Sequence, residues 1–316
     1  MTEPVDSAID RAVEFLLGMR RYGLWQDFVL APGWSDEWVT GYAGTSLATA
    51  VGVHPCLEES WTILQFRARS RTAGWGYNMF VPQDADSTSW VLRLAEVIGA
   101  ESDPLCIAAR ESLIEFRHDN GMLGTYGPTD EIRRFIGASA DRSFVGWTSP
   151  HACVTAAAAG VPGVIAPHVL VEAQRADGSW HSYWWEVDAF ATALASQSCP
   201  DPKSRERAGV WALARLDDPG SYGAFELANL IAITIHAGVK SDVRVAIAVE
   251  QLIALQEANG QWPASARMRV PDPGDPHPDD RSDWTEGGRI EGAVVIDQRG
   301  IFTTSTALRA LTSYLA

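Results

Sequence analysis

Residues 84–88 read Asp-Ala-Asp-Ser-Thr, directly ahead of an apolar helical pattern that runs to Ala100. A helix start readily takes one aspartate as a cap and another as a favourable first-turn charge. One carboxylate suffices to cap, so the second is available to face whatever the helix packs around. Four residues after Asp86 stands Trp90, on the same helical face. A carboxyl group in an apolar cavity beside another carboxylate has its protonated form favoured by desolvation and like-charge repulsion. Such an acid can hand its proton to a carbon–carbon double bond, and aromatic faces stabilise the resulting cation. The spacing predicts acid chemistry at Asp86, set against the simpler reading of two capping acids.

Something must hold these residues, and the chain repeats. Short glycine–aromatic turns recur as YGLW (22–25), AGWGY (73–77), NGMLGTYG (120–127), DGSW (177–180), PGSYG (219–223) and NGQW (259–262). Their first glycines are spaced by 51, 47, 57, 42 and 40 residues, a quasi-regular period. Before each turn runs an amphipathic pattern with Arg and Glu between its apolar residues, as in ESWTILQFRARS (59–70). After each comes a second segment rich in Ala, Thr, Ser and Leu, as in EVDAFATALAS (186–196). Small residues of that kind suit helices packed on every side. Six outer helices alternating with six inner ones predict an all-α chain folded as an (α/α)6 barrel, one domain over residues 1–316. Most turn aromatics are expected to wedge between repeats. Residues 263–300, rich in Pro, Asp and Gly, predict a long loop that lids one end.

In such a barrel all inner helices run the same way, and their N-termini gather at one mouth. That brings Asp36, Glu37, Asp84, Asp86, His151, Glu186, Asp188, Glu226, Asp297 and Arg299 to one end. Trp75 and Tyr77 immediately precede the acid segment. Trp184 and Trp185 precede the fourth inner helix.

On these residues the chain resembles the squalene–hopene cyclase and class II terpene cyclase superfamily. QRADGSW (174–180) and QEANGQW (256–262) are versions of the family's Gln-x-x-x-Gly-x-Trp turn. Residues 84–88 match its Asp-x-Asp-Asp-Thr acid motif, with Ser87 in place of the third acid. The resemblance implies that Asp86 donates a proton to an isoprenoid alkene and that Asp84 tunes it. It also implies that His151, one repeat on, contacts Asp86 and strengthens the acid. Trp75, Tyr77, Trp90, Trp184 and Trp185 would then wall the pocket and shelter cations. Class II cyclases usually place the site between two barrels. This chain has one, so a C15–C20 substrate fits better than a triterpene, and the 263–300 loop, a second protein or another copy of the chain must close the cavity. A diphosphate on the substrate would call for Mg²⁺ or for arginines at the mouth, such as Arg133, Arg134, Arg142, Arg289 and Arg299. Without one, no cofactor is expected.

The same residue types admit other chemistry. Asp84, Asp86, His151 and Cys153 are ligand types that suit zinc, as in the related protein prenyltransferases. A glycoside-active barrel would need Glu186 or Asp188 as a second acid. A non-catalytic binder of an apolar ligand is a third. The formal net charge of −15 and pI near 4.8 argue against a nucleic-acid partner. No apolar run is long enough to span a membrane. Four scattered cysteines and an acidic, polar start predict a reduced, cytoplasmic protein.

Overall fold

The computed structural model describes residues 4–68, 73–127 and 131–316. Its helices, in chain order, begin with α1 (Val5–Gly18), α2 (Glu37–Val51), α3 (Pro55–Ala68), α4 (Ala85–Val97), α5 (Pro104–Ser112), α6 (Glu131–Phe135) and α7 (Val145–Thr148). They continue with α8 (Ala152–Ala159), α9 (Pro167–Glu172), α10 (Ala189–Ser198), α11 (Pro202–Arg215), α12 (Ala224–His236), α13 (Val243–Ala254) and α14 (Ile301–Leu315). Helices α2, α4, α8, α10, α12 and α14 each pack against the next, and α14 returns to α2. The inner ring is closed, with α1, α3, α5, α9, α11 and α13 packed outside it. This is the (α/α)6 barrel the repeats predict. The third predicted outer segment bends after α5 into a 3₁₀ turn, Leu113–Phe116. The end of the second, residues 69–70, lies outside the described residues.

Local chemistry explains the helix boundaries. Pro104, Pro167 and Pro202 occupy first helical positions, where a missing N–H costs nothing. Asp103, Asp201 and Asp242 accept from backbone N–H groups of the following turn. Between α2 and α4 the backbones nearly touch. A Cβ on Gly41 would lie 2.7 Å from the Trp90 carbonyl carbon, so nothing larger than glycine fits there.

Four of the turn tryptophans are pegs with one shared bonding pattern. The indole N–H groups of Trp25, Trp75, Trp180 and Trp262 donate to outer-helix carbonyls of Leu16, Leu64, Leu170 and Leu252 at 2.6–2.9 Å. Their backbone N–H groups donate to Thr40, Thr88, Thr192 and Thr304 of the inner helices at 3.0–3.1 Å. In the third repeat Leu123 takes the place and keeps the threonine bond, to Thr155. Each peg ties an outer helix to the inner helix of its own repeat. Removing one such buried side chain costs about 3–5 kcal/mol.

The strands lie at the mouth. A hairpin of β1 (Asp27–Leu30) and β2 (Gly33–Ser35) precedes α2. Residues 263–300 carry β3 (Arg267–Val270), β4 (Thr285–Glu286) and β5 (Ala293–Ile296), so the expectation of a bare loop there is corrected. β5 pairs antiparallel with β3, from Arg267↔Ile296 to Val270↔Ala293, and parallel with β4. The short runs RMRV, with Met268 and Val270 as its apolar residues, and AVVI form this sheet between breaks rich in proline and glycine. β3 is bonded to the barrel through Arg269 N–H to the Trp184 carbonyl at 2.8 Å. Ala31 N–H donates to the Arg289 carbonyl at 2.8 Å and ties the hairpin to the same segment. Among the described residues no helix is long and apolar enough to cross a membrane.

Candidate active site

The second residue of every inner helix points toward the barrel axis. On α2, α10, α12 and α14 these residues are Trp38, Phe190, Phe225 and Phe302. Trp38 lies 5.0 Å from Phe302, and Phe225 lies 5.6 Å from Phe190 and 5.9 Å from Phe302. Trp185 stacks on Phe302 and Phe225 at 5.1 Å, and Tyr42 stacks on Phe302 at 3.9 Å. Together they plug the barrel with aromatic rings. On α8 the second residue is Cys153, and on α4 it is Asp86. A carboxyl group thus occupies a place that four other repeats give to a ring.

The two aspartates divide their work. Asp84 is the N-cap of α4: Oδ1 accepts from Ser87 N–H and Oδ2 from Ser87 Oγ–H, both at 2.7 Å. Asp86 makes no such bond. Burial, reinforced by the Asp84 charge, holds it well above the usual carboxylate range. Arg93 and the indole N–H groups of Trp38 and Trp90 oppose that shift. Both indoles face the carboxyl without closing a hydrogen bond of ordinary length. Asp86 keeps some free surface, and that surface lines a cavity.

The cavity has a volume of about 450 Å³, within the ~300–1,000 Å³ range of small-molecule pockets. Asp86, Trp38 and Trp185 line it against the aromatic plug. Tyr77, Tyr126, Trp147 and Trp184 form aromatic walls, with Met268 and Val270 from β3. Val81, Asp84, Ser87 and Thr125 add to the lining, and Leu30–Pro32, Ile132 with Phe135 and Ile136, and Arg289–Glu291 complete it. Ile290 is 62% exposed, which identifies the last group as the mouth. The 263–300 segment therefore supplies part of the wall. The arrangement can hold an apolar chain with one end against a protonated acid.

His151 does not touch Asp86. Its Nε2 lies 2.9 Å from the Gly146 carbonyl and its Nδ1 2.8 Å from Thr125 Oγ1. A carbonyl only accepts, so Nε2 carries the proton and Nδ1 accepts from Thr125. Thr125 Oγ1 in turn accepts from Trp184 Nε1–H at 2.7 Å, and Tyr183 stacks on the imidazole at 3.9 Å. Burial pushes His151 down to about 3, so the ring is neutral. The expected imidazolium beside Asp86 is replaced by a neutral histidine that orients a wall tryptophan. The cause is positional: His151 is the N-cap of α8, two residues before the axis-facing Cys153. The same bonds remove His151 from a zinc site. Among the described residues no group of three or more His, Cys, Asp or Glu could hold a metal ion.

Of the other predicted residues, Tyr77, Trp184 and Trp185 line the cavity. Trp75 does not, because its indole is a peg against α3. Trp90 lies behind Asp86, fully buried, with Tyr42 edge-on at 4.6 Å. Arg299 is also outside the cavity, its guanidinium 3.8 Å over Trp34 and bonded to Gln26. Arg133 binds the Ser139 and Arg142 carbonyls, and Arg142 pairs with Asp272 at 2.8 Å and Glu291 at 3.2 Å. Arg289 is the predicted arginine that reaches the cavity. Trp38, Tyr126 and Trp147 are wall residues the sequence reading missed. Aligning inner helices on their second residue would have found Trp38.

No protein-family model and no curated protein matches the chain. Solved structures do. The chain is 33% identical to type II terpene cyclase MstE from Scytonema, over 98% of this chain and 97% of that one, with a TM-score of 0.91. That protein has been solved with geranylgeranyl dihydroxybenzoate as substrate and with merosterolic acid A as product. A protein from Actinoplanes is 32% identical, over 99% and 100% of the two chains, with a TM-score of 0.91. The ent-copalyl diphosphate synthase of Streptomyces platensis, 16% identical over 89% of this chain and 50% of that one at a TM-score of 0.61, shares the fold.

Proposed function

Because the chain belongs to the type II terpene cyclases, we propose that Asp86 of the Asp-Ala-Asp-Ser-Thr motif starts cyclisation by protonating the terminal alkene of a C15–C20 isoprenyl chain. The Asp86 O–H bond breaks as a C–H bond forms at the chain terminus, leaving a tertiary cation. The next alkene attacks that cation, a ring C–C bond forms, and the charge moves along the chain. Loss of a proton from the last cation ends the sequence and restores the proton count. Trp38, Tyr77, Trp184 and Trp185 face the cavity in which the charge travels, where ring faces stabilise cations. Their packing also keeps water out.

The observation that carries this reading is the position of Asp86: a desolvated acid, set among axis-facing rings, lining an apolar cavity. A head group at the open end meets Arg289, for which the described residues offer no carboxylate partner, with Glu291 drawn aside by Arg142. One such cation suits a monoanion better than a diphosphate, and the geranylgeranyl dihydroxybenzoate bound by MstE has a head group of that kind. We take residues 1–316 as one catalytic domain, with 263–300 as its roof.

The test is incubation with geranylgeranyl dihydroxybenzoate, and with farnesyl and geranylgeranyl diphosphates with and without Mg²⁺, in D₂O. Cyclised product carrying one deuterium at the former terminal alkene, absent in Asp86→Asn with binding intact, is the expected result. Product formation undiminished in Asp86→Asn would assign the acid elsewhere.

A further inference from the structure

Seven residues beyond Asp86 on α4 stands Arg93, two turns deeper on the same face. It is 8% exposed, and its guanidinium bonds neutral acceptors, the Ala157 carbonyl at 3.4 Å and Gln197 Oε1 at 3.2 Å. A buried cation without a bonded carboxylate is costly to keep. The barrel nevertheless makes room for it. A Cβ on Gly160, whose φ is ordinary, would lie 2.5 Å from the guanidinium carbon, so with a larger residue there the guanidinium would have to shift. The guanidinium lies 4.3 Å over the ring of Trp90. That indole has its N–H buried without a hydrogen bond and directed at Asp86. Cation, ring, N–H and carboxyl group follow one another along the helix.

We propose that Arg93 is a positioning residue for proton transfer: its buried charge, acting through the Trp90 indole, steadies the carboxylate that Asp86 becomes when its proton leaves. The proposal rests on Asp86 being the donor. Negative charge develops on Asp86 in the transition state, and a fixed cation in a dry interior stabilises it without reorganising. A cation polarising an indole from its face also makes the N–H a better donor.

Other charged and titratable groups surround the pair. Facing Asp86 are Asp84 on its own helix, Trp38 from α2, and Cys153 from α8, whose thiol burial pushes up to about 11 and keeps neutral. Around Arg93 stand Tyr42 from α2, Gln197 from α10, Arg309 from α14 and the exposed Glu96. Arg309 lies 5.4 Å from the same Trp90 ring and shares Gln197 Oε1 at 3.2 Å. Burial, with Arg309 beside it, lowers Arg93 to about 9, which leaves it charged at neutral pH.

Arg93→Met removes the charge and keeps an apolar stem. The first readout needs no substrate: infrared titration of the Asp86 carboxyl band, identified by its loss in Asp86→Asn. Its midpoint is expected to rise by about one pH unit in Arg93→Met and to stay near the wild-type value in Arg93→Lys. With geranylgeranyl dihydroxybenzoate, kcat falls about 10-fold or more in Arg93→Met at nearly constant KM, and the basic limb of the rate profile rises with the midpoint. Should Arg93→Met not fold, Trp90→Phe keeps the ring, deletes the N–H, and must shift the midpoint the same way. An unmoved midpoint, or equal losses in the Met and Lys variants with the pH profile in place, overturns the proposal. A shifted midpoint without wild-type turnover would instead sink the cyclase reading and leave the charge coupling standing.

Discussion

Ser87 Oγ donates to Asp84 Oδ2 at 2.7 Å, and the Ser87 amide donates to Asp84 Oδ1 at the same distance. Ser87 stands where the acid motif of the wider family has a third aspartate, and it supplies a donor in place of a charge. Asp84 is thereby fixed on the helix start, while Asp86, two residues on, lines the same cavity without a cap bond. The charge of the first aspartate favours the protonated form of the second.

Asp84→Asn separates the two roles of the cap. Asparagine keeps an oxygen for the Ser87 amide, so the stability cost should stay within about 1 kcal/mol. The charge is gone, and the Asp86 carboxylate becomes easier to form. Activity that needs a protonated Asp86 is lost as pH rises through its pKa. The basic limb of the rate profile should therefore move to lower pH, by about one unit. Initial rates between pH 5 and 9 measure it, and a limb that stays in place would remove Asp84 from any tuning role.

His151 makes a pH prediction about stability instead of rate. Burial holds it near 3 in the folded chain, against 6.5 for an ordinary histidine. Between those values the unfolded chain binds the proton and the folded chain does not, so stability rises with pH across the window. The contribution is whole above about 6.5 and drains away as pH falls toward 3, by up to about 1.4 kcal/mol per unit. Gln can donate to Gly146 and accept from Thr125 without titrating. Urea denaturation at pH 7 and pH 5 should show a smaller acid penalty in His151→Gln than in the wild type. Equal penalties would mean the ring is charged or solvated in the folded state.

Trp75 and Trp185 should respond in opposite ways, although the sequence presents both as aromatics near the acid. Trp75→Phe removes the indole bond to the Leu64 carbonyl and shortens the buried peg, which should cost about 1–3 kcal/mol and leave kcat untouched. Trp185→Ala costs about 3–5 kcal/mol and opens the cavity into the aromatic plug. Water then reaches the cation, and hydroxylated or prematurely deprotonated products should rise at the expense of the cyclised one. Product profiles by mass spectrometry beside denaturation curves distinguish the pair.

That contrast shows where the sequence stops being informative. The barrel was legible because it depends on local period, and the axis-facing place of Asp86 because it depends on helix position. Asp84 and Asp86 differ by two residues at a helix start, and that offset alone sends one to the cap and the other to the axis. Whether a tryptophan pegs two helices or walls a cavity depends on which carbonyl its N–H meets, and that carbonyl belongs to another element. His151 was misplaced for a related reason. Counting one repeat onward lands on a helix N-cap, whereas the residue equivalent to Asp86 is Cys153. The small sheet of β3, β4 and β5 was hidden by the proline and glycine around it.

Arg289 carries the remaining prediction, at the opposite end of the cavity from the acid. It is exposed, lines the mouth beside Ile290, and sits on a segment anchored by the Ala31 N–H bond to its own carbonyl. Removing the side chain therefore should not move the backbone. A carboxylate head group paired with an exposed arginine gains modestly, about 1 kcal/mol or somewhat more if partly desolvated. Arg289→Ala should raise KM for geranylgeranyl dihydroxybenzoate about 5- to 10-fold with kcat nearly unchanged, because the bond is the same in ground and transition states. The methyl ester of the same substrate should show no difference between wild type and variant, since it has no charge to lose. A raised KM for acid and ester alike would mean that Arg289 shapes the mouth by its bulk. A fall in kcat would mean that head-group anchoring sets how the far alkene meets Asp86.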